Sequence, residues 1–172
     1  MSTLETTSKQ REDLLDRGYT SFPGGLPPEL LERWQKLATR LEEEAMEVHN
    51  NGDHIPTACM ADGPDGKRLM RHNDILAKDP DAVLDLLACP TMMAIFRELC
   101  GKNAVPMQVD ILYKQQHPHP VVIWHQGAQH PRNHPYLNVG VYLDEAGSGD
   151  GCIKYLDGTQ HEKQDIQGLS EK

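Results

Sequence analysis

The pattern of apolar and polar positions divides the chain into a helical first part and a strand-like second part. The strongest helical signal runs from about residue 28 to residue 45, where apolar residues recur at intervals of three and four, as one face of an amphipathic helix requires. Pro27 and Pro28 suit its start, because the first turn does not need their missing N–H. Asn50 to Asp53 suits its end. The apolar stripe comprises Leu30, Leu31, Trp34, Leu37, Ala38, Leu41 and Ala45.

Three shorter helices are predicted around this long one. They cover about residues 8–16, 79–87 and 91–99. Asp79 is a good N-cap with Pro80 at the first helical position, and Pro90 separates the last two helices. Gly18 and Gly101 follow the first and the last helix, where glycine readily adopts the positive φ of a helix end.

After Gly101 the apolar positions lose the helical period, and the remaining segments are strand-like. The predicted strands cover residues 104–114, 120–124, 137–143 and 151–156. Residues 19–22 also look like a short strand, whereas residues 55–78 are polar, rich in glycine and fit neither pattern. Helices followed by strands predict an α+β fold with helices packed on an antiparallel sheet or barrel.

Composition narrows the function only by exclusion. The 172 residues fit one domain, and 38% hydrophobic with 25% charged residues is not a disordered composition. A net charge of −9 argues against nucleic acid or an anionic membrane as a partner. No secretory signal and no apolar run long enough to cross a bilayer is visible. The four cysteines form no CxxC pair, so we expect free thiols in the cytoplasm. The oligomeric state is not indicated.

The candidate chemistry lies in the strand-like part. Trp124 and His125 follow the apolar residues 121–123 and precede turn residues. A neutral imidazole at a strand end is a plausible ligand for iron, zinc or copper, although a lone histidine is more often structural. Further along the chain come Leu143-Asp144-Glu145, then Gly151-Cys152, then Gly158-Thr159.

In this order the segments resemble the phytanoyl-CoA dioxygenase superfamily, whose members have a WHxD segment, a strand ending in LDD, a G-x-G-C strand and a turn similar to P-G-S/T-H. Residues 108–114, which read QVDILYK, resemble the Q-x-x-x-x-Y-K strand of the ectoine-hydroxylase branch. The DRGY sequence at residues 16–19 also fits. The resemblance therefore covers nearly the whole chain.

The resemblance implies a double-stranded β-helix, a jelly-roll or cupin-like barrel. We expect a single domain over residues 1–172, with a helical part at about 8–101 and barrel strands at about 104–172. Family members hold Fe(II) with two histidines and one carboxylate, leave positions open for 2-oxoglutarate and O₂, and act on small molecules. By resemblance, His125 is a metal ligand, and Gln108 and Lys114 line the cofactor and substrate cavity.

Gly127 departs from the family pattern, because the triad carboxylate belongs at this position and glycine has no side chain. A halide could take the vacated place, as in related iron halogenases that carry alanine or glycine there, and the reaction would then be halogenation rather than hydroxylation. Two alternatives remain open: the glycine replaced an aspartate by engineering, or the protein has lost activity.

The second departure is at the C-terminal end. The family's second iron histidine and its 2-oxoglutarate-binding arginine come well after the turn, but no Arg follows Arg132 and no His follows His161. Only about half of a jelly roll's roughly eight strands is visible. We therefore expect a barrel incomplete at the C-terminus that does not turn over 2-oxoglutarate by itself. The alternatives are a non-catalytic relative, or a cupin-like metal site of His125, His130 and His161.

Overall fold

The structure, a computed structural model, is a mixed α and β fold. It describes residues 8–63, 65–101, 103–114, 122–126, 137–148 and 151–161. Within these ranges the helices lie between Ser8 and Cys100, and the strands form a three-stranded sheet in the order β1-β2-β3. Both strand pairs are antiparallel. The α+β prediction is confirmed at this level.

The first two helices match their predictions closely. Helix α1 covers Ser8–Arg17, and Gly18 follows it with a φ of 87° while its N–H donates to the Leu14 carbonyl over 3.2 Å. Helix α2 covers Pro28–Asn50, with prolines at its start. The predicted apolar stripe is the face that α2 buries, through Trp34, Leu37, Leu41 and Ala45.

A β-hairpin occupies most of the segment that the sequence pattern left unassigned. Strand β1 covers Ala58–Gly63 and strand β2 covers Gly66–His72. A β-bulge interrupts the pairing between Cys59 and Met60, and it changes which β2 side chains face the helices. As a result Leu69 and His72, three residues apart, are both buried. Strand β2 therefore lacks the strict alternation of apolar and polar residues by which a strand is recognised in a sequence.

The next helices form one continuous layer beside the sheet. They are α3 at Ile75–Lys78, α4 at Pro80–Ala88 and α5 at Pro90–Ile95, which continues as a π-helical turn at Phe96–Cys100. The Asp79 carboxylate accepts a hydrogen bond from the Ala82 N–H over 3.0 Å, which confirms the predicted N-cap. Gly101 ends the layer with a φ of 94°.

The strand predictions are met only in part. Strand β3 covers Ile111–Leu112 and pairs with β2, inside the predicted segment 104–114. The described residues of the other predicted strands, 122–124, 137–143 and 151–156, lie in no strand. Residues 19–22 are not a strand either. The described part of the chain therefore shows one sheet and no closed barrel.

The core lies between α2, α3, α4, α5 and one face of the sheet. Leu41, Ile75, Val83 and Ile111 are among its buried members, and Tyr113 packs at its edge while its hydroxyl donates to the Ala38 carbonyl over 2.8 Å. None of the helices in the described ranges is both long and apolar enough to cross a membrane.

Candidate functional site

The pairing of β2 with β3 separates apolar from polar side chains. His72 lies opposite Ile111 on the face that packs against the helices, and Arg71 lies opposite Leu112 on the other face. Val109, Ile111 and Tyr113 all contact the core. The residues that alternate with them therefore point away from the helices. We call this surface the polar face; it comprises Arg71, Gln108, Asp110, Leu112 and Lys114.

Asp110 is the hub of the polar face. Its side chain is only 11% exposed, and one oxygen accepts two hydrogen bonds from Arg71, the Nε bond measuring 3.0 Å. The other oxygen accepts the Asp74 backbone N–H over 3.1 Å and the Gln108 side-chain amide over 2.9 Å. A carboxylate with this many donors is held in one orientation, and in turn it orients Gln108 and Arg71.

Asp74 reaches this network through an uncommon backbone conformation. Its φ of 54° and ψ of 55° are left-handed, a region that Asp tolerates better than most residues other than glycine. The conformation lets the chain leave β2 and enter α3 while the Asp74 N–H points at Asp110. The Ile75 N–H then donates to the Val109 carbonyl over 3.0 Å. The two residues before β3 are therefore both hydrogen-bonded to the connection between β2 and α3.

Lys114 lies at the far end of the polar face, against the backbone of Gly151. A Cβ on Gly151 would lie 3.5 Å from two carbons of the Lys114 side chain, and Gly151 has a φ of 77°. The two predicted cofactor residues, Gln108 and Lys114, are thus on one face of the same segment. The described residues do not show the cavity that they were predicted to line.

His125 has the ring geometry that a metal-binding histidine needs. Its Nδ1 lies 2.9 Å from the Ile123 carbonyl oxygen, which can only accept, so this contact suits the tautomer in which Nδ1 donates and Nε2 is free to bind a metal. Ligating histidines commonly donate from the other ring nitrogen to a carbonyl or carboxylate in this way. The side chain is exposed, so Nε2 is accessible, but residues 122–126 lie in no strand and the described residues do not show His125 at a strand end facing a cavity, as was expected.

The residue after His125 is joined to a distant turn. The Gln126 side-chain amide donates to the Thr159 carbonyl, and the Thr159 hydroxyl donates to the Leu156 carbonyl over 2.8 Å. Gly127, His130 and His134 come next along the chain and lie outside the described residues. The structure therefore places His125 but leaves the predicted halide position untested.

His161 lies in the same turn region and is exposed, with its Nε2 at 2.9 Å from the Gln160 side-chain nitrogen. No cluster of three His, Cys, Asp or Glu side chains within the described ranges could hold a metal ion. The described residues therefore fit Fe(II) through one imidazole, and they do not complete a three-ligand set.

Two charged members of the polar face, Arg71 and Asp110, were not among the predicted site residues. Arg71 was missed because the hairpin was unassigned, so nothing placed its side chain beside residues 108–114. Asp110 was inside the matched QVDILYK segment, and its position two residues from Gln108 was the available signal. The two-residue period of a strand over 108–114 puts Gln108, Asp110 and Lys114 on the same face. This can be inferred without knowledge of any tertiary contact.

A family model supplies the decisive comparison: the model for phytanoyl-CoA dioxygenase (PhyH) matches residues 14–169. The chain belongs to the phytanoyl-CoA dioxygenase family. The match covers the described helices from the end of α1 onward, the sheet and the segments that carry His125 and His161. No curated protein and no solved structure significantly matches the chain. Phytanoyl-CoA dioxygenase family members generally use Fe(II), 2-oxoglutarate and O₂, and the family suggests a small-molecule substrate.

Proposed function

We propose that this phytanoyl-CoA dioxygenase family member is an Fe(II)- and 2-oxoglutarate-dependent oxygenase that acts on an unactivated C–H bond of a small molecule. The observation that carries the proposal is the His125 ring, whose Nδ1 faces the Ile123 carbonyl and whose Nε2 is accessible. Bound Fe(II) would supply the activation of O₂ that no side chain of this chain can provide.

The polar face has the complementary role of holding the cosubstrate. Gln108 and Lys114 are the proposed cofactor-binding residues, one supplying an amide and the other an ammonium. Asp110 fixes the Gln108 amide through the 2.9 Å hydrogen bond, and Arg71 balances the Asp110 charge. A carboxylate group of 2-oxoglutarate could accept hydrogen bonds from an amide and an ammonium of this kind.

Gly127 directs the proposed reaction toward halogenation. An aspartate here would supply a charged oxygen ligand, whereas glycine leaves an open position beside a backbone without a Cβ. Chloride has the charge that suits an open position next to a cation. Substrate placement would then decide between halogen and hydroxyl transfer. If Gly127 was introduced in place of aspartate, hydroxylation is the original reaction.

We further propose that residues 1–172 are one domain in which the helical part, about 8–101, packs on jelly-roll strands within 104–172. The support is the apolar surface in the second part, since Leu112, Val122, Ile123 and Ile153 are all more than half exposed. Barrel strands would cover such side chains. The four free thiols fit a reducing cytoplasm as the setting.

The experiment is an anaerobic titration of the full chain with Fe(II) and 2-oxoglutarate. Where the parent protein retains iron, His125→Ala should lose it, together with the visible charge-transfer absorption of the iron–2-oxoglutarate complex. His54→Ala is the matched control, because His54 is an exposed histidine whose side chain is 83% accessible. Equal iron retention by both variants would refute His125 as a ligand.

The halide proposal is tested in the same samples by adding chloride. The chain with Gly127 should change its absorption on chloride addition, and Gly127→Asp should not, because the carboxylate fills the position. With a substrate in hand, product mass with and without chloride makes the same distinction. Hydroxylated product alone in saturating chloride would contradict halogenation.

A non-catalytic relative is the second candidate. The observation that favours it is the absence, among the described residues, of a three-ligand metal cluster. This candidate predicts that the Gly127 chain and His125→Ala both fail to retain iron. If instead only Gly127→Asp retains iron and forms succinate, the protein is an engineered or degenerate hydroxylase.

A further inference from the structure

We propose that the end of α1 positions the His125 segment by holding the turn to which Gln126 is bonded. Two regions about 140 residues apart in sequence meet here. The contact involves the clamp residues, by which we mean Arg17 and Tyr19 on one side and Tyr155 and Asp157 on the other. The inference rests on the proposed role of His125, but its test does not require metal.

The clamp combines three kinds of contact. Arg17 Nε donates to the Asp157 carboxylate over 2.8 Å, and the Arg17 guanidinium lies over the Tyr19 ring at 4.4 Å from its centroid. Tyr19 and Tyr155 stack with ring centroids 4.4 Å apart and an interplanar angle of 12°. Bonding to Arg17 lowers the pKa of the Asp157 carboxyl. An exposed ion pair alone contributes little, but here it adds to an aromatic stack.

The backbone fastens the same turn independently of the clamp side chains. The Gly158 N–H donates to the Arg17 carbonyl over 3.1 Å, and the Gln160 side-chain amide donates to the Leu15 carbonyl over 2.8 Å. Gly18 makes room for this approach, because a Cβ there would lie 2.6 Å from the Gln160 oxygen. Four separate contacts therefore converge on residues 155–160.

The same turn is hydrogen-bonded to the His125 segment. Thr159 lies between Gly158 and Gln160, which α1 holds, and its carbonyl accepts the Gln126 side-chain amide. Gln126 is bonded in the chain to His125. A ligand must be held to within about half an ångström to bind productively, so its neighbours need fixed partners. Arg17 and Asp157 act here as positioning residues.

The experiment reads the environment of Trp124, the residue before His125, in a Trp34→Phe background where Trp124 is the remaining tryptophan. Without metal, we measure its emission and its quenching by acrylamide. Arg17→Ala should raise the quenching constant by about twofold, because the segment loosens locally. The charge exchange Arg17→Asp with Asp157→Arg should recover part of the change, because it restores the ion pair but not the cation over the Tyr19 ring. Lys36→Ala, which breaks the exposed Glu32–Lys36 pair of α2, is the matched control.

A second comparison separates positioning from general destabilisation. Leu86→Ala removes a buried core side chain away from the turn and should lower the midpoint of unfolding without changing Trp124 quenching in the folded protein. If Arg17→Ala does not fold, Asp157→Asn replaces it. The proposal is overturned if Arg17→Ala or Asp157→Asn quenches like Lys36→Ala, or if Leu86→Ala has the same effect on Trp124. If Trp124 responds but His125→Ala retains iron, the metal role fails and the positioning stands.

Discussion

The sharpest prediction concerns Asp110, since one carboxylate connects three segments of the polar face. Asp110→Ala removes the acceptor for Arg71, for the Asp74 N–H and for the Gln108 amide. The Asp110 side chain is 11% exposed, whereas that of Arg71 is 40% exposed. The carboxylate is therefore well shielded, but its donors can recover hydrogen bonds with water after the substitution.

The expected loss follows from these exposures. Hydrogen bonds to a charged group contribute about 1.5–3 kcal/mol each, and a donor that is left buried and unpaired adds its desolvation cost to the loss. Because the donors here reach solvent, we discount the sum and expect Asp110→Ala to lower the free energy of unfolding by about 2 kcal/mol. Asp110→Asn keeps one acceptor oxygen and should lose about half as much. Gln108 loses its orientation in Asp110→Ala, so 2-oxoglutarate affinity should fall in that variant as well.

Urea unfolding, followed by circular dichroism, measures the loss, with Arg71→Ala and the double variant completing a cycle. A coupling energy of about 1 kcal/mol between Arg71 and Asp110 is expected for a shielded pair. Asp62→Ala is the matched control, because Asp62 forms an ion pair with Lys67 in the same hairpin but its side chain is 86% exposed. The reasoning is refuted if Asp110→Ala and Asp62→Ala have the same stability.

Two further predictions concern the core. Leu41→Ala, at a side chain that is 2% exposed, should lower the free energy of unfolding by about 2–5 kcal/mol in the same urea assay, and a loss below about 1 kcal/mol would contradict the packing of α2. Burial, with a smaller contribution from Glu42, raises the pKa of Tyr113 far above its usual value. The folded state therefore binds the Tyr113 proton more tightly than the unfolded state does. The resulting stabilisation of the folded state is present below pH ~10 and is lost as the pH rises from there through the folded-state pKa. Tyr113→Phe should make the alkaline loss shallower, as measured by unfolding midpoints between neutral and strongly alkaline pH, and an unchanged pH profile would be the contrary result.

The helices of the first part of the chain could be predicted from local patterns, because each pattern involves residues that are only a few positions apart. The apolar stripe of α2, the Asp79 cap and the glycines after α1 and α5 depend on neighbours along the chain, and the structure places all of them as predicted. The family could also be recognised from the sequence, since the order and spacing of short motifs can be seen without knowledge of tertiary contacts. His125 stood out for the same reason, and its role as a ligand stays a prediction.

The hairpin, the polar face and the contact between α1 and the 155–160 turn depended on tertiary structure. A bulge after Cys59 breaks the alternation that marks a strand, so the hairpin has no simple sequence period. Arg71 and Asp110 meet only because β2 pairs with β3, and Arg17 meets Asp157 across about 140 residues. Sequence patterns indicate which side of a helix or strand a residue occupies. Which other segments pack beside that helix or strand is decided by the packing of the whole chain.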